Sequence, residues 1–258
     1  MTQEGLRLEV NGPVAEIVLA RPGRQNAISQ AMWRALAEHC QTLDADPTVR
    51  VVVIRGEPPA FSAGADIAEF AAVFANEITA HAYNELVQEA LGRVERLGKP
   101  TIARIEGSCI GGGCGLAVAC DLRFAASDAR LGITPARLGL AYSLGDVKRL
   151  IDLIGPARAK DLLYSARLLD AAEALRIGLV DRVLPPGELA TAVADYAGSL
   201  VALSGSSQRL IKQIAGLVRD GLNGETEHSR ALRDGAVTHA DFVEGRQAFL
   251  ERRRPRFA

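Results

Sequence analysis

The chain has 258 residues, 48% of them hydrophobic, enough to bury one large core with at most a small appendage. Thirty basic and 31 acidic residues give a formal net charge of -1, so neither a general nucleic-acid surface nor a membrane surface is expected. No apolar stretch approaches the roughly 18 residues of a membrane span, the first residues lack the apolar run of a secretory leader, and Cys40, Cys109, Cys114 and Cys120 show neither C-x-x-C pairing nor zinc spacing, so buried thiols in a cytoplasmic protein are expected.

Leu6, Leu8 and Val10 alternate, Asn11-Gly12-Pro13 turns, and Val14 to Leu19 returns, which reads as a hairpin. Arg21-Pro22-Gly23 ends it. Ser29 is a candidate N-cap for a helix that carries Met32, Leu36 and Cys40 at helical spacing and runs to about Asp46. Val49 to Arg55 is a buried strand pattern. A loop rich in Gly, Pro and Ala covers 56–66. Helix is expected over 67–97 with a break near Asn76, and Gly98-Lys99-Pro100 stops it. Thr101 to Ile105 and Leu122 to Ala126 read as strands, and the glycine run at 111–113 leads into an apolar helix ending near Cys120. Strand, strand and helix repeat through this half, an α/β pattern. From Leu144 onward helices dominate: 146–154, 156–165 after a Gly155-Pro156 break, 171–177, 188–203, 206–222 and 241–253. The expected division is a core over 1–200 and a helical C-terminal region over 201–258.

Several common motifs are missing. A G-x-G-x-x-G run from Gly111 would need glycine where Leu116 stands, and Gly98-Lys99 is followed by Pro100 rather than by Ser or Thr. There is no G-x-S-x-G elbow and no H-E-x-x-H pair. His39, His81, His228 and His239 are scattered, and no metal site is expected. Two small-residue segments remain, Phe61-Ser62-Ala63-Gly64-Ala65-Asp66 after a strand and Ile110-Gly111-Gly112-Gly113-Cys114-Gly115 before a helix. Spacing leaves two readings open. They are tight turns in a packed α/β sheet, or they are backbone that a ligand approaches closely, with N–H groups converging on one oxyanion.

The same segments resemble the crotonase (enoyl-CoA hydratase/isomerase) superfamily along nearly the whole chain. The resemblance rests on Arg21-Pro22 with Asn26-Ala27, FSAGADI at 61–67, KPTIARIEG at 99–107, IGGGCGLAVACD at 110–121, LGITPARLGL at 131–140 and EGRQAFLERRRPRF at 244–257. It implies a spiral of strand-strand-helix units with a helical C-terminal region, assembled as a homotrimer or homohexamer. It also implies an acyl-CoA substrate with no further cofactor, coenzyme A being part of the substrate. Carried over by position, the N–H groups of Ala63 and Gly112 would form the oxyanion hole. Ala63, Gly64, Ala65, Asp66 and Ile67 would line the adenine pocket, with Arg24 bordering the nucleotide. Arg252, Arg253, Arg254 and Arg256 of the tail would approach the phosphates.

The chain departs from the hydratases at the two catalytic glutamates, whose positions hold Gly115 and Ala136. Neither residue can hold water or move a proton. Ala136 also argues against the mitochondrial-type isomerases, and Ser143 stands where dienoyl-CoA isomerases and aryl-CoA dehalogenases place an aspartate. The stretch from Thr134 to Tyr142 is similar to the methylmalonyl-CoA decarboxylases, which carry a tyrosine at the position of Tyr142, although they keep an acidic residue at the position of Gly115. Decarboxylation needs an enolate oxyanion hole and an apolar pocket more than a base. Asp66, Glu69, His81, Glu85 and Arg137 are further polar candidates, with Asp66 read as structural. The function expected from these residues is therefore stabilisation of an acyl-CoA enolate. The alternatives are a decarboxylase using Tyr142 and a catalytically silent acyl-CoA-binding subunit.

Overall fold

The structure is a computed structural model that describes residues 2–3 and 5–257. At its N-terminal edge β1 (Thr2–Gln3) pairs with β2 (Leu6–Asn11), which turns at Gly12 into β3 (Val14–Leu19), all antiparallel. Gly12 sits at φ +61°, the left-handed backbone such a tight turn demands. Ser29 Oγ accepts the Met32 N–H at 3.3 Å and starts α1 (Gln30–Ala45), which buries Met32, Trp33, Leu36, Cys40 and Leu43 along one face. The chain then enters β4 (Val51–Gly56), parallel to β3.

A short α2 (Phe70–Val73) precedes α3 (Glu77–Arg96). The break expected near Asn76 is a capping box: the Asn76 side chain accepts from Ile78 and Thr79, and the Thr79 hydroxyl accepts from the Asn76 N–H. Next come β5 (Thr101–Ile105), β6 (Ser108–Ile110), α4 (Gly112–Ala119), β7 (Leu122–Ala126) and β8 (Arg130–Gly132). Helices α5 (Leu144–Ile154) and α6 (Pro156–Ser165) meet at Gly155, and β9 (Leu168–Asp170), α7 (Ala171–Ile177) and β10 (Arg182–Leu184) follow.

The strands form two sheets. The larger runs β1-β2-β3-β4-β5-β7-β10 and is parallel from β3 onward, while β6, β8 and β9 form the smaller one. The chain repeatedly lays one strand in the large sheet, one in the small sheet, and then a helix. This is the spiral that the family resemblance implies. Strands β6, β8, β9 and β10 are each three residues long and pair with distant partners, which is why local pattern did not disclose them.

Alternation along β4 divides the core. Val52 and Ile54 face α1, α3 and α4, while Val51 and Val53 face α8 (Pro186–Val201) through Leu189, Val193 and Ala197. The tail, α9 (Gly205–Arg219), α10 (Glu227–Gly235) and α11 (Ala240–Leu250), adds little to that core. Helix α9 buries no residue, α10 buries only Ser229 and α11 only Ala248. Helix α10 was not foreseen in the sequence; its mostly polar sequence carries little apolar pattern. The four cysteines are free and buried, and burial pushes the thiols of Cys40 and Cys120 up to about 12. Among the described residues no helix is long and apolar enough to cross a membrane.

Asn26 fixes the loops at the ends of β3 and β4. It is fully buried, its Oδ1 accepts the Arg21 N–H at 2.9 Å, and its Nδ2 donates to the carbonyls of Glu57 at 2.7 Å and Ala60 at 2.6 Å. Asn26→Ala strands these backbone groups in the interior, at about 1–3 kcal/mol for each group left without a partner. A lowered denaturation midpoint with an unchanged slope in urea titration is the expected result; an unchanged midpoint would mean that the hub carries no stability.

Candidate active site

The two glycine loops meet through backbone pairing. Ser62 N–H donates to Ser108 O and Ile110 N–H donates to Ser62 O, each at 2.9 Å, so the loop after β4 runs beside β6. Ser62 Oγ donates to Asn26 O at 2.8 Å and accepts the Gly64 N–H at 3.0 Å. Gly64 at φ +101° then turns the chain, so that Gly64 O accepts from Ile28 N at 2.7 Å and Asp66 N donates to Ile28 O at 2.9 Å. This alternation leaves the intervening Ala65 N–H facing away from Ile28.

The expected donor at Ala63 is corrected by this pairing. Its N–H is already taken by Gln25 O at 2.9 Å. Gly112 is the first residue of α4, and among the described residues no acceptor takes its N–H or that of Ala65. The two groups lie together: a Cβ placed on Gly112 would stand 3.5 Å from Ala65 N, and one placed on Gly64 would stand 3.3 Å from Gly112 N. The converging pair is therefore Ala65 with Gly112, at the N-terminus of α4, where the peptide dipoles favour negative charge. A sequence signal existed, since alternation along a bridged segment must turn every second N–H outward, but it depended on knowing that Ile28 pairs with this loop.

A cavity of about 160 Å³ opens in front of the pair. Its walls are mostly apolar: Trp33 from α1, Phe70 and Phe74, Tyr83, Val87 and Leu91 from α3, and Pro135 and Leu140 from the segment after β8. Gly115 lines it without contributing a side chain, whereas Ala136 is exposed and lies outside it. Tyr142 also lines the cavity. Its hydroxyl is buried without a hydrogen-bond partner, and a Cβ on Gly111 would lie 4.0 Å from it. Burial pushes the Tyr142 phenol well above its usual range, so it stays protonated and available as a donor.

The polar side of the cavity was not foreseen. Asp146, on the first turn of α5, accepts at Oδ2 from Gln88 Nε2 and from Ser143 Oγ, each at 2.8 Å. Its Oδ1 is 3.3 Å from Arg149 Nη1, and Arg149 in turn reaches Glu95 at 3.1 Å. The Ser143 hydroxyl also caps α5 by accepting the Asp146 N–H at 3.1 Å. The Ser143-x-x-Asp146 spacing is thus visible in the sequence as a helix start, and that structural role conceals its place in the cavity wall.

The remaining candidates fall elsewhere. Asp66 accepts from Arg21 Nη2 at 2.9 Å, lies 3.9 Å from Arg24 Nη1 and accepts the Ala68 N–H at 3.2 Å. Burial acts to raise its carboxyl, and the Arg21 and Ala68 bonds outweigh it and hold the group below the usual carboxylate range. Ile67 is 59% exposed and Arg24 is exposed, so both lie on the surface near the loop rather than in the cavity. Glu69 accepts the Gln30 N–H at 2.8 Å. His81 and Glu85 are exposed on the outer face of α3, which instead turns Tyr83, Asn84, Val87 and Gln88 to the cavity, and Arg137 is exposed. In the tail, Arg253 is committed to Glu244 at 2.6 Å and to Glu251 at 2.6 Å. Among the described residues no group of three or more His, Cys, Asp or Glu side chains is placed to hold a metal ion.

The profile of the enoyl-CoA hydratase/isomerase family matches residues 9–258. The chain belongs to that family, within the crotonase superfamily. It is 36% identical to a probable enoyl-CoA hydratase of Mycobacterium bovis over 100% of this chain and 99% of that one. It is 34% identical to a crotonyl-CoA hydratase of Syntrophomonas wolfei, again over 100% of this chain and 99% of the other. The crystal structure of an enoyl-CoA hydratase/isomerase family protein of Hyphomonas neptunium superposes with a TM-score of 0.96 at 40% identity, covering 98% of this chain and 97% of that one.

The two glycines predict opposite outcomes. A methyl group on Gly64 would stand 2.8 Å from Ile110 O on a left-handed backbone, so Gly64→Ala must move a loop and lose stability. A methyl on Gly112 meets nothing nearer than Trp33 Cζ2 at 3.4 Å, so Gly112→Ala should melt close to the parent while filling the space before the N–H pair. Thermal unfolding of the two variants checks this; equal losses would mean that the two loops are not packed as described.

Proposed function

We propose that the chain binds an acyl thioester of coenzyme A with the thioester oxygen on the N–H groups of Ala65 and Gly112, and stabilises the enolate formed there. The observation that carries this reading is the converging pair of unpartnered N–H groups at the mouth of an apolar cavity. Such donors are worth most where water is excluded and where they need no reorganisation as charge develops. The family and the names of its relatives support the substrate class. Ala63, Ile67 and Arg24 are exposed beside the buried Gly64 and Asp66, and this stretch would take the nucleotide end of coenzyme A. Exposed Ile211, Val218, Phe242 and Phe249 on the tail support assembly with further copies as a homotrimer or homohexamer.

With Gly115 and Ala136 in place, addition of water by two glutamates at these positions is not available to this chain. The buried, unpartnered Tyr142 hydroxyl favours a second reading, loss of carbon dioxide from a carboxylated acyl-CoA. In that step the bond between the α-carbon and the carboxylate breaks. Its electron pair forms the enolate, carbon dioxide leaves, and the α-carbon then takes a proton. Tyr142 would orient the carboxylate or supply that proton.

Incubation with crotonyl-CoA and with methylmalonyl-CoA, read by mass spectrometry, tests both. Turnover of either that falls about 10²–10³-fold in Gly112→Ala supports the enolate site. Loss of carbon dioxide from methylmalonyl-CoA that disappears in Tyr142→Phe supports the second reading. Hydration of crotonyl-CoA that is untouched by Tyr142→Phe rejects it. Tight binding of acyl-CoA with neither reaction, and with no exchange of the substrate's α-proton, would make the chain a silent acyl-CoA-binding subunit.

A further inference from the structure

The cavity contains one carboxylate whose position answers a question left by the sequence: which group moves a proton at the substrate when Gly115 and Ala136 have no acid. A Cβ built on Gly115 would lie 4.0 Å from Asp146 Oδ1, with Leu91 Cδ1 the other neighbour at 4.0 Å. That separation is about the span of a glutamate side chain measured from its own Cβ. Asp146 therefore brings a carboxylate from α5 within about one side-chain length of the Gly115 position on α4. Resting on the enolate reading above, we propose that Asp146 is the catalytic carboxylate of this site, exchanging a proton with the α-carbon of the acyl thioester.

Its surroundings suit that task. Oδ2 is held by Gln88 Nε2 and Ser143 Oγ, each at 2.8 Å, which fixes the side chain, while Oδ1 faces the Gly115 side of the cavity. The Asp146 side chain is 13% exposed, so it is desolvated enough to act on bound substrate yet reachable by solvent protons. Arg149 lies beside Oδ1 at 3.3 Å and gives the carboxylate a cationic neighbour. In the step itself an α C–H bond breaks, its proton goes to Asp146 Oδ1, and its electron pair forms the enolate. The enolate oxygen rests on the Ala65 and Gly112 N–H groups. The neutral Asp146 carboxyl then returns a proton to carbon, and in heavy water it first exchanges with solvent.

The test is deuterium incorporation into butyryl-CoA in heavy water, followed by mass spectrometry, with binding of butyryl-CoA measured by calorimetry. The wild type should label the α-position. Asp146→Asn should stay folded and bind butyryl-CoA but label about 10²–10⁴-fold more slowly. Gly115→Glu added to Asp146→Ala should recover part of the rate lost in Asp146→Ala, because a Cβ at Gly115 meets nothing closer than 4.0 Å and the shortened residue 146 leaves space for the new carboxylate. A merely structural aspartate would not be rescued from a different helix. Labelling by Asp146→Asn at the wild-type rate overturns this proposal and leaves the enolate site standing. Absence of labelling by a wild type that binds butyryl-CoA overturns both.

Discussion

The site depends on two stretches of backbone lying closer than side chains permit. The loop after β4 is stitched to β6 through Ser62, Ser108 and Ile110, and this brings Gly64 and Gly113 against their neighbours. A Cβ on Gly113 would fall 2.6 Å from Ser62 Cβ, and one on Gly64 would fall 2.8 Å from Ile110 O. Both loops must also end at the same level. The two sheets provide that, because β4 and β5 belong to the large sheet while β6 passes beneath the loop in the small one. The Asn26 side chain adds the third constraint by tying the end of β3 to the loop after β4, and the Asn26 backbone carbonyl accepts from Ser62 Oγ. Donor geometry is thus set by main chain together with two buried polar side chains, the Asn26 amide and the Ser62 hydroxyl.

The same economy leaves polar groups unpaired where the cavity needs them. An unsatisfied buried donor costs about 1–3 kcal/mol. The Tyr142 hydroxyl and Trp33 Nε1 are both buried without a partner and both line the cavity. The Tyr142 hydroxyl, beside two free backbone N–H groups at one small apolar space, is poorly accounted for by fold stability alone. These donors are what a ligand carrying an acceptor oxygen would relieve.

Sequence pattern disclosed the long elements because each declares itself locally. The hairpin turn at Asn11-Gly12-Pro13, the Ser29 cap of α1, the break at Asn76 and the stop at Gly98-Lys99-Pro100 are all local signals, and each sits where the structure has an element boundary. What local pattern could not disclose is pairing across distance. The small sheet rests on three-residue strands, and the choice between Ala63 and Ala65 as donor turns on Ile28 and Gln25 lying alongside the loop. The resemblance placed a donor at Ala63, whose N–H is taken by Gln25 O, and only the hydrogen-bond direction along the loop distinguishes it from Ala65. For α3 the sequence drew attention to His81 and Glu85 through their i,i+4 spacing. That spacing gives a shared helix face but not which face is inward. The inward face is decided by Tyr83, Val87 and Leu91, an equally regular apolar stripe.

Position, more than residue identity at a motif, determines what this cavity can do. A glutamate extending from α4 would reach across the cavity on three rotatable bonds and would need packing to hold it. An aspartate on the first turn of α5 has a shorter side chain, and one of its oxygens is already fixed by Gln88 and the capping Ser143. Less side-chain freedom is then lost when substrate binds, which favours a productive geometry. The cost is that the carboxylate arrives from a different helix, so its distance to the Ala65 and Gly112 donors is set by the packing of α4 against α5 and not within one helix. The glycine at 115 leaves α4 with no acid of its own on this side of the cavity. An acid at that position and Asp146 would place two carboxylates about one side-chain length apart in a poorly solvated space, where like charges repel. Gly115 and Asp146 are in this sense a single structural choice, in which the glycine is the vacant half and the aspartate the occupied one.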